Sequence, residues 1–157
     1  MKPSELKEIW EQSEIEAAIS ATNEDILSFQ NRTNLVFPDD LQDYFKKNNG
    51  TNEQYDNNFF RFYSLGDFRS VKDELSEWAG VPDYRNIINT MPFHSSCYVF
   101  SDYNCHVFTY CIRLYERKSS LNEVYIIAGD KFQLVANSFS EFLDLYYENS
   151  EILYFLD

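Results

Sequence analysis

The hydrophobic period of this chain switches twice, and the switches decide its fold class. Through the N-terminal half, apolar side chains recur at i, i+3 and i+4; from Tyr98 they alternate; after Ser138 the helical spacing returns. Helices, then strands, then a helix over the sheet is the order of an α+β domain.

Capping residues divide the helical half. Leu6, Ile9 and Trp10 share one face, and Ile15, Ala18 and Ile19 repeat that spacing after a Ser13/Glu16 capping box. Thr22 is placed to cap a further helix carrying Ile26 and Phe29, which Asn34 closes in the left-handed conformation. Between Phe37 and Gly50, Pro38 opens a helix with Asp39 and Asp40 at its positive end and Lys46 and Lys47 at its negative end. Leu41, Tyr44 and Phe45 form its buried face, and Gly50 is its C′ residue. Thr51 to Asn58 reads as a polar loop and Phe59 to Tyr63 as a strand; Val71, Leu75 and Trp78 form one face of a helix ending near Gly80 and Pro82.

In the strand region, Phe108, Tyr110, Ile112 and Leu114 alternate with Val107, Thr109, Cys111 and Arg113, so an apolar face is backed by a mixed one. Val124, Ile126 and Ala128 precede Gly129-Asp130, and Phe132, Leu134 and Ala136 follow it, which predicts a β-hairpin. Ser138 and Glu141 form a capping box for the last helix, whose buried side is Phe139, Phe142, Leu143 and Tyr146. No repeat or low-complexity segment interrupts the 157 residues, so a single domain over residues 1–157 is expected.

Composition narrows the function. A hydrophobic fraction of 44% with 18% aromatics supports a core despite a net charge of −13. That charge disfavours nucleic acid and anionic membrane surfaces as partners. No apolar run approaches the roughly 20 residues of a membrane span. Met1 to Glu16 contains five glutamates in place of the apolar core of a signal peptide. Cys97, Cys105 and Cys111 cannot all pair within the chain, so a reducing, cytoplasmic location is expected.

Catalytic motifs are missing. The chain has no phosphate-binding loop, no G-x-S-x-G elbow and no H-E-x-x-H helix. His94, Cys97, Cys105 and His106 carry zinc-donor atoms, but neighbours such as Cys105 and His106 point to opposite faces of a strand. Buried thiols and strand-end histidines explain these four residues better. Ser96 or Cys97 can be drawn with a histidine and Asp102, yet nothing fixes a base, an orienting carboxylate and an oxyanion hole together. Neither an enzyme, nor a metal, nor a cofactor is expected.

Charge is unevenly placed. After Lys131 there is no basic residue, while Glu141, Asp144, Glu148, Glu151 and Asp157 follow. A second acidic concentration runs through Asp39, Asp40, Asp43, Glu53 and Asp56, with Tyr55 as an aromatic anchor of the kind common at interfaces.

Four short motifs in order resemble the SUKH superfamily of Smi/Knr-like domains. They are Phe37-Pro38-Asp39-Asp40-Leu41 through Asn49-Gly50, Tyr98-Val99-Phe100-Ser101-Asp102, Glu123-Val124-Tyr125, and Val135-Ala136-Asn137-Ser138-Phe139 through Leu143. The similarity covers about residues 22–147. Gln30, Asn34 and Phe37 stand where the superfamily commonly has Glu, Gly and Leu, and near Cys105 a frequent glycine is missing.

The resemblance implies a curved, mainly antiparallel sheet wrapped by N-terminal and C-terminal helices. It also implies a non-catalytic immunity protein that covers a cognate toxin, often a nuclease; nucleases are commonly basic, which agrees with the acidic charge, and a monomer or weak homodimer is expected. The expected contact residues are Glu53, Tyr55, Asp56, Asp102, Tyr103, Glu148 and Glu151. The alternative the resemblance offers is a regulatory scaffold like the fungal Smi/Knr cell-wall proteins. Those typically carry disordered extensions on either side of the domain, and almost nothing outside the domain is expected here.

Overall fold

Among the described residues, a side-chain cap opens three of the α-helices. In the computed structural model, which describes residues 1–154, Thr22 Oγ1 accepts from Asp25 N–H at 3.1 Å and Asp25 Oδ2 accepts from Thr22 N–H at 2.9 Å. This reciprocal cap opens α2 (Asn23–Thr33), and Asn34 closes it at φ 58°. Helix α3 (Asp39–Lys47) follows, with Leu41, Tyr44 and Phe45 fully buried. Its left-handed C′ residue is Asn49, at φ 53°, and not Gly50 as the sequence predicts. Gly50 is needed for a different reason: a Cβ there would lie 2.7 Å from the Phe62 carbonyl oxygen, so only glycine lets the chain pass the first strand.

The first helix, α1 (Leu6–Gln12), is shorter than the hydrophobic spacing predicts. Ser13 does not cap a continuation, because its hydroxyl accepts the Asn57 N–H at 3.2 Å and Glu14 turns left-handed at φ 58°. Residues 15–21 then run without regular structure, leaving Ile19 90% exposed.

Among the described residues, six strands form one open sheet. β1 (Phe60–Phe62) and β2 (Arg69–Ser70), separated by a 3₁₀ turn at Leu65–Asp67, pair with the same edge of β3 (Cys97–Tyr103). β4 (Phe108–Arg113), β5 (Val124–Ala128) and β6 (Lys131–Ala136) follow in antiparallel order. Gly129 at φ 62° makes the two-residue turn, with Ala128 opposite Lys131. β-Bulges at Phe100 and between Val124 and Tyr125 bend the strands.

Each face of the sheet covers a core. On the first face, α1, α2, α3 and α6 (Phe139–Tyr147) pack their apolar sides over Phe60, Phe62, Phe100, Tyr110 and Ile112. Ser138 Oγ caps α6 by accepting from Glu141 N–H at 3.0 Å; the Glu141 carboxylate takes Asn137 N–H, so the predicted capping box is one-sided. The second face was expected to be mixed, but Thr109 and Cys111 on it are fully buried. Val71 and Leu75 of α4 (Val71–Leu75), Tyr84, Ile87 of α5 (Ile87–Thr90) and Met91 close over it. Trp78 lies beyond the end of α4 instead of on its face.

Candidate functional site

Consecutive residues of the 51–58 loop reach opposite faces of the sheet at its β1 edge. Tyr55 donates its hydroxyl to Asp102 Oδ1 at 2.6 Å on one face, while Asp56 accepts from Tyr146 Oη on the other. The loop is therefore pinned from both sides.

The first anchor is built by strand register. Arg61 of β1 lies opposite Asp102 of β3, and Asp102 lies opposite Thr109 of β4. On that face the fully buried Asp102 carboxylate accepts from Arg61 Nε at 3.0 Å, Tyr63 Oη at 2.8 Å and His106 N–H at 3.2 Å, besides Tyr55. The Arg61 guanidinium lies 4.8 Å from the Tyr63 ring centre and 5.7 Å from that of Tyr55. Burial, reinforced by the bond to Asp102, raises the Tyr55 hydroxyl above its ordinary pKa, so it stays a donor.

The second anchor is also buried. Asp56 Oδ1 accepts from Asn58 N–H at 2.8 Å and Phe60 N–H at 3.0 Å. Tyr146 Oη in turn accepts from Trp10 Nε1 at 3.1 Å, which ties α1, α6 and the loop together. Burial raises the Asp56 pKa, and the bonds from Tyr146, Phe60 and Asn58 only partly offset it. Native Asp56 therefore holds its proton more tightly than the unfolded chain does. As pH rises above the ordinary aspartate value of about 3.9, wild type should lose stability relative to Asp56→Asn until the raised native pKa is passed. Urea midpoints of both proteins across that range check this. A stability difference that is flat, or that moves in favour of wild type, counts against it.

Of the seven contact residues the sequence indicated, the structure brings six to this edge, Glu53 beside Arg61 among them. Tyr55, Asp56 and Asp102 are the anchors just described. Tyr103 is half-buried, with its ring 5.1 Å from Tyr154, and Glu151 starts the 3₁₀ turn that carries Tyr154. Glu53, on the same loop, and Glu148, at the end of α6, are exposed. Asp56 and Asp102 need correction as contact residues, because both carboxylates are buried and their oxygens already accept internal hydrogen bonds. Asp157 lies outside the described residues.

Arg61, Tyr63 and Tyr146 do the anchoring; the sequence places Tyr146 only on the buried side of the last helix and gives Arg61 and Tyr63 no role at the site. A lone arginine alternating with Phe60 and Phe62 was the available signal.

The histidine and cysteine set is dispersed in role. His106 is buried and stacked on Trp78 with ring centres 3.9 Å apart. Cys97 and Cys111 are free, buried neighbours, whereas Cys105 is exposed. Burial pushes the Cys97 thiol well up. Among the described residues no group of three or more His, Cys, Asp and Glu side chains is placed to hold a metal ion. No helix among them is long and apolar enough to cross a membrane.

Three departures from the superfamily pattern have physical counterparts. Gln30 Oε1 accepts from Phe37 N–H at 2.9 Å, Asn34 adopts the left-handed conformation glycine would have taken, and Phe37 is fully buried. No curated protein matches the chain. Residues 20–145, most of its length and all six strands, match the SMI1 / KNR4 family (SUKH-1), and the chain belongs to that family.

Proposed function

We propose that this protein binds and blocks a toxin domain stoichiometrically, without catalysis, and that the toxin is basic. The observation that carries this reading is the pinned β1 edge, where a loop fixed at Tyr55 and Asp56 presents Glu53 outward. A surface held in place before docking loses little conformational freedom on binding. With a chain charge of −13, such a surface favours a cationic partner and steers its approach. The toxin-neutralising role is the one that the superfamily resemblance implies for bacterial members.

Co-expression with any toxin module encoded beside this chain tests the proposal. The expected result is restored growth and a one-to-one complex whose association slows as ionic strength rises and the Debye length shortens to about 8 Å. No rescue from any adjacent toxin overturns it. Protection at far less than one equivalent also overturns it, because only turnover achieves that.

A further inference from the structure

The two edges of the sheet are finished differently. At the β1 edge the backbone is already paired. Phe60 and Phe62 N–H donate to Asp56 Oδ1 and Thr51 Oγ1, each at 3.0 Å, and their carbonyls accept from Asp56 and Thr51 N–H at 2.8 and 3.0 Å. β2, on the same side of β3, is only two residues long. β6 forms the opposite edge. Ala128 and Lys131 close the two-residue turn as a hydrogen-bonded pair, so Lys131 and Gln133 point their backbone groups at β5, and Phe132 and Leu134 point theirs away from it. Among the described residues nothing donates to or accepts from these outward N–H and C=O groups.

Sheet edges are commonly guarded by charge, proline or a covering loop. β6 has one lysine, at its start, and the Phe132-Gln133-Leu134 stretch that carries the open groups has neither charge nor proline. On the second face the side chains beside this edge are apolar. The Phe132 ring lies 5.7 Å from that of Tyr125 and 5.6 Å from that of Phe93, and Leu134, opposite Tyr125 in the ladder, is 46% exposed. Gln133 lies opposite Ile126, on the first face.

We propose that β6 pairs antiparallel with β6 of a second copy of this chain, joining the two sheets across a two-fold axis at Gln133. In that register Phe132 of each copy meets Leu134 of the other as a hydrogen-bonded pair, so every outward N–H and C=O of both residues is satisfied. The same register sets the two apolar side chains against each other and places Lys131 opposite Val135, away from its own twin. A basic partner suits this edge less well, because the strand offers it no carboxylate. With the β1 edge shut, association closes at two copies and leaves the proposed toxin-facing edge free. The chain's charge of −13 opposes the pairing, and an edge contact of this length falls below the roughly 1,000 Å² of a stable interface. The dimer is therefore weak, and it tightens when salt screens the charge. None of this depends on the toxin reading.

Sedimentation equilibrium of the full chain at about 50 mM and about 500 mM salt tests the pairing, with amide hydrogen exchange followed over the same protein concentrations. The expected result is a monomer–dimer equilibrium whose Kd falls about threefold at the higher salt, with exchange at Phe132 and Leu134 slowing as protein concentration rises. Leu134→Lys should raise Kd at least about tenfold. It keeps the fold, because the side chain is exposed and the Leu134 N–H lies outside the β5 ladder. Tyr147→Lys changes the charge equally at another exposed residue and should leave Kd within about twofold. A monomer at both salts, an association that weakens with salt, exchange at the two amides that ignores concentration, or a dimer indifferent to Leu134→Lys each overturn the proposal. A toxin that slows exchange at Phe132 and Leu134 and displaces the second copy also overturns it, since the edge then belongs to the toxin. The toxin reading fails separately, on the absence of any neutralised toxin, and that result leaves the sedimentation outcome unchanged.

Discussion

Replacing Asp102 with alanine should cost about 3–5 kcal/mol and lower the melting temperature by about 10 °C. The carboxylate is fully buried and accepts from four donors, so its loss strands Arg61, Tyr63 Oη and the His106 N–H at once. Removing one partner of a buried ion pair costs more than the pair contributes, because the remaining charge keeps its desolvation penalty. Arg61 softens this effect, since 28% of its side chain reaches solvent. Asp102→Asn keeps shape and some acceptor capacity and should cost about 2 kcal/mol. Tyr63→Phe removes a single bond and should cost about 1 kcal/mol. Thermal melts of the three variants give the ranking directly. An alanine variant melting within about 2 °C of wild type would show that the corner is not held by this carboxylate.

Sequence alone could not locate that carboxylate, and the reason is a single residue. Strict alternation from Tyr98 puts Phe100 and Asp102 on the same face. The bulge at Phe100 breaks the alternation, so Asp102 shares the second face with Val99 and meets Arg61 across the strand pair. An extra residue of this kind leaves no mark in hydrophobic period. Asp56 was misjudged for a related reason. Its carboxylate looks like a solvated loop charge until Tyr146, 90 residues away, is folded beside it.

Features governed by near neighbours were legible. The Thr22 cap, the left-handed Asn34, the Gly129-Asp130 hairpin turn and the buried side of α6 each depend on residues within one turn of the chain. The N-terminal helix failed at the point where a distant partner entered: Ser13 looks like a cap but bonds to Asn57, 44 residues on. The four-residue α5 and two-residue β2 are too short to carry a period.

Phe62 should be the most costly single truncation on the first face, with Phe62→Ala losing about 3–5 kcal/mol. Its ring is 1% exposed and sits where three helices meet the sheet: 5.3 Å from Trp10 of α1, 6.2 Å from Tyr44 of α3, 4.9 Å from Tyr146 of α6 and 6.4 Å from Phe100 of β3. A cavity there cannot close cheaply. Trp10 and Tyr146 are held by their mutual hydrogen bond, Tyr146 by Asp56, and Tyr44 by its hydroxyl bond to Tyr63 O at 2.5 Å, so the walls have little freedom to move inward. The upper half of the range is therefore expected, while Phe62→Leu, which fills most of the volume, should cost about 1.5 kcal/mol. Urea unfolding of both variants measures the difference. A loss below about 1.5 kcal/mol for alanine would mean that the aromatic cluster relaxes into the space, and that the loop between α3 and β1 is not clamped from this face.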